Sequence, residues 1–380
     1  MTTPRLAVLV SYTGDGGVEK MMNHLLRGFV DAGVQVDLLL LKARGGHVED
    51  IPAEVNVIRL DARTSLLALP AVTRYLRRQS PDALLAAKDR AGRVALRARR
   101  LARVPTRIVL RMGMHLSGSL ADKTALQRWL RYRPVRRLYP LADAIVAVAQ
   151  PVADDLARIG GIPSERFRVI ANPVISPSLI ARAEEAAEHP WLEAGTRSET
   201  PVILAVGRLR PQKDFATLLR AFALLHARLP CRLIILGEGP ERDRLQGLAR
   251  ELGIADHVDL AGFRSNPYPL MRAASLFVLS SRFEGSPNVL VEAMALGTPV
   301  VSTDCPSGPR DILAGCRLGP LVPVGDAPAL ADGMARGLEA PVEPALLQQA
   351  VADYTVETSA HAYLEALNIA PTTQPEANTP

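Results

Sequence analysis

Residues 283–301 read FEGSPNVLVEAMALGTPVV, and this short stretch contains the signals of a loop, a helix and a strand in succession. Ser286 followed by Pro287 indicates an N-cap and a first helical residue, because the hydroxyl accepts an orphan backbone N–H and proline has no N–H to lose. Gly297 indicates the end of the helix. The apolar strand PVVST follows at once, and alternation of helix and apolar strand predicts an α/β fold.

Two glutamates in this stretch are candidate ligand-binding residues. Glu292 is the only charge in an otherwise apolar helix, where a carboxylate needs a partner or a hydroxyl-rich ligand. At ~1.5 Å per residue it lies roughly 7 Å from the helix start, about the distance from a phosphate at the N-terminus to the ribose behind it. Glu284 lies in the preceding loop. The pair suits a nucleotide-sugar site. For Glu292, the alternative is an ordinary exposed helical glutamate.

Length and composition set broad limits. A chain of 380 residues exceeds what one core usually supports, so we expect two domains. No apolar run approaches the ~18 residues of a membrane span, and Met1–Arg5 leads directly into a strand, so we expect no signal peptide. The three cysteines form neither a metal-ligand spacing nor an even disulfide set, which predicts a cytoplasmic protein: Cys231, Cys305 and Cys316.

The basic residues are concentrated in the first half. Residues 1–175 contain 28 Lys and Arg against 15 Asp and Glu, whereas the remainder has 17 against 24. Much of the excess lies in Arg90–Arg111 and Arg128–Arg137. Nucleic acid, anionic lipid and a phosphorylated substrate are candidate partners. Aromatic residues are only 4% of the chain and are not interleaved with the basic runs, so nucleic acid is disfavoured. A solvated helix face is the alternative.

The strand pattern predicts two Rossmann-like domains facing each other across a cleft. Residues 1–174 form the first, with the strands RLAVLV, VDLLLL, VNVIRL, ALLAA, TRIVL and AIVAVA. Residues 175–200 lack a strand pattern and are assigned to a linker. The second domain, 201–350, has the strands VILAVG, RLIILG, HVDLAG, LFVLS, PVVST and LGPLVPV. A helix near 355–368 is expected to pack back onto the first domain, and the Pro- and Thr-rich tail 371–380 to be disordered.

Two turns carry further candidate residues. Gly16 and Gly17 allow a tight turn after the first strand and bring backbone N–H groups close to an anion at a helix N-terminus; a plain turn is the alternative. Arg208 and Lys213 lie in the loop after the first strand of the second domain, where open α/β sheets bind ligands. Two cations there would stabilise a departing diphosphate without a metal, unless they serve only solubility. No GxxxxGK[ST] motif is present, which excludes P-loop ATPases.

Together these segments resemble the retaining, GT-B-fold glycosyltransferases of family 4. The resemblance runs from about Leu6 to about Leu367, and its most specific part is in the second domain. It is carried by GGVEK at 16–20, GRLRPQKDFATLLRAF at 207–222, LGEGPERDRL at 236–245, NPY at 266–268, and SSRFEGSPNVLVEAMALGTPVVSTDCPSGPRDIL at 280–313.

The resemblance implies roles for the candidate residues toward a nucleotide-diphosphate sugar. Glu292 would hydrogen-bond the ribose hydroxyls, and Glu284 would lie beside the transferred sugar. Arg208 and Lys213 would bind the diphosphate, which Gly16 and Gly17 approach from the first domain. The backbone around five residues would contact sugar or phosphate: Gly285, Ser286, Asn288, Val289 and Leu290. His115, in the first-domain loop RMGMHLSG, is the candidate for a histidine near the donor sugar, with a structural role as the alternative.

The resemblance also implies the reaction and its partners. Sugar transfer would retain the anomeric configuration, and the leaving diphosphate would assist deprotonation of the acceptor. No DxD motif stands in a suitable loop, so we expect no metal and no cofactor beyond the sugar nucleotide. A UDP-linked hexose or N-acetylhexosamine is the favoured donor. The expected acceptor is a glycan or a polyprenyl-diphosphate-linked oligosaccharide, met at an anionic membrane surface by a peripheral cytoplasmic enzyme.

Three other functions remain open at this point. A nucleotide-sugar epimerase of GT-B fold would consume the donor without an acceptor. A non-catalytic sugar-nucleotide-binding subunit would lose nothing when Glu284 is replaced by alanine. A basic RNA-binding protein would show salt-sensitive affinity for nucleic acid.

Overall fold

The computed structural model describes residues 4–13, 17–192 and 200–371, and it divides into two compact units. One unit comprises Met1–Val174 together with Tyr354–Pro380, and the other comprises Ile175–Asp353. Within the tail predicted to be disordered, residues 372–380 lie outside the described residues.

The strands of the described residues form one parallel sheet in each unit. The first unit contains β1 (Arg5–Thr13), β2 (Gln35–Arg44), β3 (Asn56–Arg59), β4 (Ala83–Ala87), β5 (Arg107–Met112), β6 (Ala144–Ala147) and β7 (Phe167–Val169). The second contains β8 (Val202–Val206), β9 (Arg232–Leu236), β10 (Val258–Gly262), β11 (Leu276–Leu279), β12 (Val300–Thr303) and β13 (Leu321–Val322).

Helices connect these strands. In chain order the α-helices are α1 (Gly17–Asp31), α2 (Leu69–Gln79), α3 (Asp89–Ala102), α4 (Leu116–Ser119), α5 (Ala125–Leu138), α6 (Gln150–Gly160), α7 (Pro177–Ala183), α8 (Phe215–His226), α9 (Arg242–Glu251), α10 (Tyr268–Ala273), α11 (Asn288–Ala295), α12 (Pro309–Ile312), α13 (Ala327–Glu339), α14 (Pro344–Ala350) and α15 (Val356–Leu367). The predicted α/β class with two Rossmann-like domains is confirmed.

Each sheet has a point where the direction of chain progression reverses. The orders are β3-β2-β1-β4-β5-β6-β7 and β10-β9-β8-β11-β12-β13, all pairs parallel. The reversal therefore falls between β1 and β4 in one unit and between β8 and β11 in the other. Loops leaving the carboxyl ends of the two central strands diverge there and leave room for a ligand.

All twelve predicted strands are present, and one strand escaped prediction. Strands such as β4 are fully buried, so they read as continuous apolar runs rather than as an alternation. The strand β7 has only three residues, FRV, of which two are exposed. A segment of three residues is too short to carry a periodic signal.

The helix α15 belongs to the first unit because it packs against α1. The rings of Phe29 and Tyr363 meet edge to face with centroids 6.5 Å apart. Gly28 permits this close approach, since a Cβ on it would lie 2.6 Å from the Cβ of Ala360. Ser359 also donates from its hydroxyl to the carbonyl of Ala171 at 3.0 Å.

The segment assigned to a linker is largely part of the second unit. Its described part, 175–192, contains α7 and is fastened by side-chain hydrogen bonds to that unit. His189 Nε2 lies 3.0 Å from Asp259 Oδ2, and Arg182 donates to the carbonyl of Ser265 at 2.9 Å. These contacts join residues that are far apart in sequence, so no local sequence pattern predicted them.

The start of α11 differs from the prediction by one residue. Pro287 has extended backbone angles (φ −76°, ψ 93°) and occupies the N-cap position, so the helix begins at Asn288 and Ser286 lies one residue before the cap. The end is as predicted: the helix stops at Ala295, and Gly297 adopts the left-handed conformation at φ 76°.

Candidate functional site

A buried ion pair bridges the reversal point of the second sheet. Lys213, in the loop after β8, donates from Nζ to Glu284 Oε1 at 2.6 Å, and Glu284 lies in the loop after β11. The hydroxyl of Ser281 donates to the same oxygen at 2.7 Å. Glu284 is only 8% exposed. Burying a carboxylate is tolerated when a cation and a hydroxyl donor compensate its lost hydration. Lys213 and Ser281 provide this compensation at the edge of the sheet where α/β folds bind ligands.

Backbone contacts hold the two loops of this pair together. Gln212 donates from Nε2 to the carbonyl of Phe283 at 3.0 Å and accepts the N–H of Arg282 at its own carbonyl at 2.8 Å. Ser280 donates from its hydroxyl to the carbonyl of Lys213 at 2.7 Å. The side chains of Lys213 and Glu284 are thus positioned by an anchored framework rather than by their own attraction alone.

A third loop, after β12, closes on the same region. The hydroxyl of Ser307 donates to the carbonyl of Gly285 at 2.5 Å, and Ser307 and Gly308 both have positive φ, 77° and 96°. Positive φ at a serine is unfavourable, and such strain is concentrated at functional sites. The neighbouring Cys305 is buried beside Glu284, and burial followed by that negative charge raises the pKa of its thiol to about 12. Cys305 is therefore a neutral packing residue and not a nucleophile.

Glu292 is buried as well, with a donor already aimed at it. Its residue exposure is 6%, and the phenolic hydroxyl of Tyr268 donates to its Oε1 at 3.2 Å. The guanidinium of Arg182 stacks over the Tyr268 ring at 5.8 Å. This geometry removes the alternative of an ordinary exposed helical glutamate. A carboxylate is a hydrogen-bond acceptor of the kind that ligand hydroxyls require.

The remaining predicted residues of the second unit differ in accessibility. Gly285 is buried, Ser286, Asn288 and Val289 are half-buried, and Leu290 is fully buried with its N–H donating to the carbonyl of Pro287 at 3.0 Å. Leu290 thus contributes to the core and to the first helical turn.

Arg208 lies in the same loop as Lys213, with an exposed side chain. The loop lies against the turn after β9, where Gly237 has φ 143° and a Cβ would come within 1.9 Å of the carbonyl oxygen of Gly207. Only glycine permits this approach. The glycines of the LGEG segment therefore shape the loop that presents both cations.

In the first unit a second Lys–Glu pair bridges the corresponding reversal point. Lys88 directly follows β4 and donates from Nζ to Glu19 Oε1 at 2.8 Å and to the carbonyl of Ser11 in β1 at 3.0 Å. Its backbone, at φ 76° and ψ 150°, lies in a region that glycine normally occupies. Gly17 begins α1 and is exposed, whereas Gly16 lies outside the described residues.

His115 caps the short helix α4. Its Nδ1 accepts the backbone N–H of Gly118 at 3.1 Å, which requires an unprotonated Nδ1 and places the ring proton on Nε2. Asp155 on α6 fastens the same turn, since its carboxylate accepts the N–H of Ser117 at 2.9 Å and the hydroxyl of Ser117 at 2.5 Å. Both the structural role considered for this histidine and a ligand-facing Nε2–H are compatible with the geometry.

Two family models match the chain. Residues 16–173 match the model described as "Glycosyl transferase 4-like domain", and residues 193–353 match "Glycosyl transferases group 1". The chain is a group 1 glycosyltransferase of the GT-B fold. The predicted membership of the GT-B glycosyltransferases is thereby confirmed, and retention of the anomeric configuration stays a prediction.

This glycosyltransferase is similar over most of its length to curated relatives. It is 29% identical over 355 residues to the lipopolysaccharide core biosynthesis glycosyltransferase LpsE of Rhizobium meliloti, covering 90% of this chain and 91% of that protein. It is 25% identical over 313 residues to the lipopolysaccharide 1,6-galactosyltransferase of Escherichia coli, covering 79% of each.

Solved structures share the fold of this glycosyltransferase. The lipopolysaccharide outer core galactosyltransferase WaaB in its apo form aligns with a TM-score of 0.72 at 20% identity, covering 96% of this chain and 99% of that one. Anabaena HepE in complex with UDP-glucose aligns with a TM-score of 0.74 at 21% identity, also covering 96% and 99%.

Several residues that contact the candidate residues in each unit of this glycosyltransferase were not predicted. In the first unit they are Lys88, Glu19 and Asp155, and in the second unit they are Ser281 and Tyr268. Lys88 had a usable signal, since it directly follows the apolar strand ALLAA at a carboxyl end. The others act through contacts distant in sequence or lie within common local patterns.

Among the described residues of the glycosyltransferase, no cluster of three or more His, Cys, Asp or Glu side chains could hold a metal ion, and no helix is long and apolar enough to span a membrane.

Proposed function

We propose that this glycosyltransferase transfers a hexose or N-acetylhexosamine from UDP to a glycan or lipid-linked acceptor in lipopolysaccharide or polysaccharide biosynthesis. The names of LpsE and of the Escherichia coli galactosyltransferase support the pathway. A further relative from Campylobacter jejuni, 35% identical over 53% of this chain, acts on a diphospho-undecaprenol acceptor by its name. The solved complexes of HepE with UDP and UDP-glucose support the donor.

The Lys213–Glu284 pair is the observation that carries this proposal. An ammonium has three donors, so its bond to Glu284 leaves two for phosphate oxygens. Glu284 likewise keeps an oxygen for a sugar hydroxyl. A bound sugar nucleotide would place its diphosphate at Lys213 and Arg208 and its hexose at Glu284, and the cations would stabilise the charge that develops on the leaving diphosphate.

The nucleotide would extend along α11. The backbone of Gly285, Ser286, Asn288 and Val289 would contact sugar or phosphate at the helix start, where the dipole favours an anion. Glu292, held by Tyr268, would accept the ribose hydroxyls. In the first unit, Gly16 and Gly17 would approach the diphosphate, and His115 would offer Nε2–H to the donor sugar.

We further propose that the reaction retains the anomeric configuration and needs no metal. The acceptor oxygen would bond to the anomeric carbon on the face that the diphosphate leaves. The acceptor proton would pass to a diphosphate oxygen, so no separate carboxylate base is required. Lys213 and Arg208 would supply the charge stabilisation that a metal ion supplies in DxD enzymes.

The decisive experiment is a donor and acceptor screen. UDP-sugars are first ranked by thermal shift, because a ligand at about 100 times its Kd stabilises the native state by about 2.7 kcal/mol. The best donor is then incubated with a lipid-linked oligosaccharide in EDTA, and the product's anomeric configuration is read by NMR. Acceptor-dependent formation of an α-linked product from an α-linked donor is expected.

Each rival predicts a different outcome of this screen. An epimerase would convert the donor without acceptor, and a non-catalytic binding subunit would shift in melting temperature but form no product. Loss of activity in EDTA that returns with Mg²⁺ would overturn metal independence. An inverted product would overturn retention.

We also propose a cytoplasmic enzyme that meets its acceptor at an anionic membrane surface. The excess of 28 Lys and Arg over 15 Asp and Glu in residues 1–175 supports such a partner.

A further inference from the structure

The helix α5 exposes large apolar side chains on one face. Leu126, Trp129 and Leu130 are 66%, 49% and 53% exposed. With Arg133 and Arg137 they follow the spacing i, i+3, i+4, i+7 and i+11, so all five lie on one side of the helix. We call these five residues the α5 face.

The opposite side of the helix already accounts for its attachment to the first unit. Val135 is buried, and Tyr132 and Leu138 pack against the hydrophobic core on that side of the sheet. Arg136, at the edge of the α5 face, also donates from Nε to the carbonyl of Ile159 on α6 at 3.0 Å. These contacts attach the helix through residues outside the α5 face, and the exposure of the apolar residues on that face has a cost that needs another explanation.

The charges of α5 identify the occupant. The helix contains five arginines and no aspartate or glutamate: Arg128, Arg131, Arg133, Arg136 and Arg137. In the part of the chain that the structure describes, none of the ion pairs within 4.0 Å includes one of these arginines. The guanidinium of Arg133 instead lies 5.7 Å from the centre of the Trp129 ring. A second copy of the chain would bring arginine against arginine, whereas an anionic surface neutralises them.

We infer that the α5 face is the surface by which the enzyme binds an anionic lipid bilayer. Tryptophan and leucine would enter the boundary between headgroups and acyl chains, where an indole is especially stable. The arginines would bind lipid phosphates. This inference rests on the proposed function, because binding to the bilayer would hold the first unit at the membrane in which a lipid-linked acceptor is anchored.

The same side of the first unit carries more residues of this type. Leu101, at the end of α3, is exposed, and α3 packs beside α5. Leu66 and Leu67, in the short turn Ser65–Ala68, are also exposed, and this turn contacts α3. A bilayer is wide enough to contact α3, α5 and this turn at the same time, whereas a narrow peptide ligand is not.

Flotation with vesicles tests the inference. Wild-type protein is mixed with vesicles of phosphatidylcholine alone or with one third phosphatidylglycerol, in 50 mM or 500 mM NaCl. We expect binding to the anionic vesicles that high salt weakens. The apolar variant Leu126→Ser/Trp129→Ser/Leu130→Ser and the charge variant Arg133→Glu/Arg137→Glu should each partition at least about tenfold less. The control Leu224→Ser/Leu346→Ser removes two exposed leucines of the second unit and should bind as wild type does.

A fluorescence measurement locates the contact. The chain has two tryptophans, so Trp191→Phe leaves Trp129 as the only indole reporter. Its emission should shift to shorter wavelength on anionic vesicles. Binding that leaves this emission unchanged, or that the apolar variant retains, would place the membrane contact elsewhere and overturn the inference. So would sedimentation showing a dimer that the apolar variant loses, since the face would then join two copies.

The outcome is separable from that of the proposed function. Every variant is also assayed for its UDP thermal shift and for transfer to a water-soluble acceptor, neither of which involves a bilayer. We expect both to be unchanged in the α5 variants, which also verifies folding. Vesicle binding without transferase activity would refute the proposed function alone, and full activity without vesicle binding would refute the α5 face alone.

Discussion

At the scale of single residues, Lys213 and Glu284 should be the most sensitive positions for turnover. We expect Lys213→Ala and Glu284→Ala each to lower kcat by about 100-fold or more, because each removes a group that acts on the reacting part of the donor. The measurement is kcat with the best UDP-sugar and acceptor. Arg210→Ala is the control, since Arg210 is an exposed cation of the same loop. Near-normal rates in folded variants would remove both residues from the mechanism.

Glu292 should behave differently, because its proposed ligand is the ribose and not the reacting centre. We expect Glu292→Gln to weaken UDP binding by about tenfold, the scale of one charge-assisted hydrogen bond. Saturating donor should restore most of kcat. Tyr268→Phe removes only the phenolic donor at 3.2 Å and should have a smaller effect. Calorimetric titration with UDP measures both, and a fall in kcat with unchanged UDP affinity would contradict the assignment.

At the scale of an element, Asp155 should act as a positioning residue for the turn that carries His115. Asp155→Asn weakens the anchoring of Ser117 and should lower both stability, by about 1–3 kcal/mol, and kcat. If it acts on turnover through His115, the double variant with His115→Ala should have the kcat of His115→Ala alone. Additive losses would show that the effect of Asp155 on turnover is independent of His115.

Glycines in two helices provide a matched test of packing. Gly28→Ala on α1 adds a Cβ 2.6 Å from Ala360 and should destabilise the protein by about 1–3 kcal/mol, because α15 has to move away. Gly247→Ala on α9 adds a Cβ with no neighbour within 4 Å and should stabilise it by about 0.5–1 kcal/mol. Urea unfolding measures both, and a stabilising effect of Gly28→Ala would show that the α1–α15 contact is looser than described.

At the scale of the whole molecule, the strands of the two sheets could be predicted from the sequence more completely than the side-chain contacts between the loops that follow them. Parallel strands buried on both faces leave apolar runs such as VILAV, which local pattern reveals. Lys213 and Glu284 could be placed in loops at carboxyl ends, but their 2.6 Å contact depends on the order β8-β11, which no local pattern encodes. The contact between Lys88 and Glu19 depends in the same way on the order β1-β4. Each pair joins elements that flank a reversal point. The residue types can be read from the sequence, but the strand order brings the two side chains of each pair together.

The final segment of the chain should determine the stability of the first unit while sparing the second. Tyr363, Leu364 and Leu367 of α15 are buried against that unit's core, so a stop after Asp353 would expose it. We expect the truncated protein to lose protection from hydrogen exchange in β1 and α1, yet to keep UDP binding if the second unit holds the nucleotide. A stop after Pro371 is the control, since it leaves α15 in place, and should change neither quantity. Unchanged protection after truncation at Asp353 would refute the stabilising role of α15, and lost UDP binding with an intact second unit would show that the nucleotide needs groups from the first.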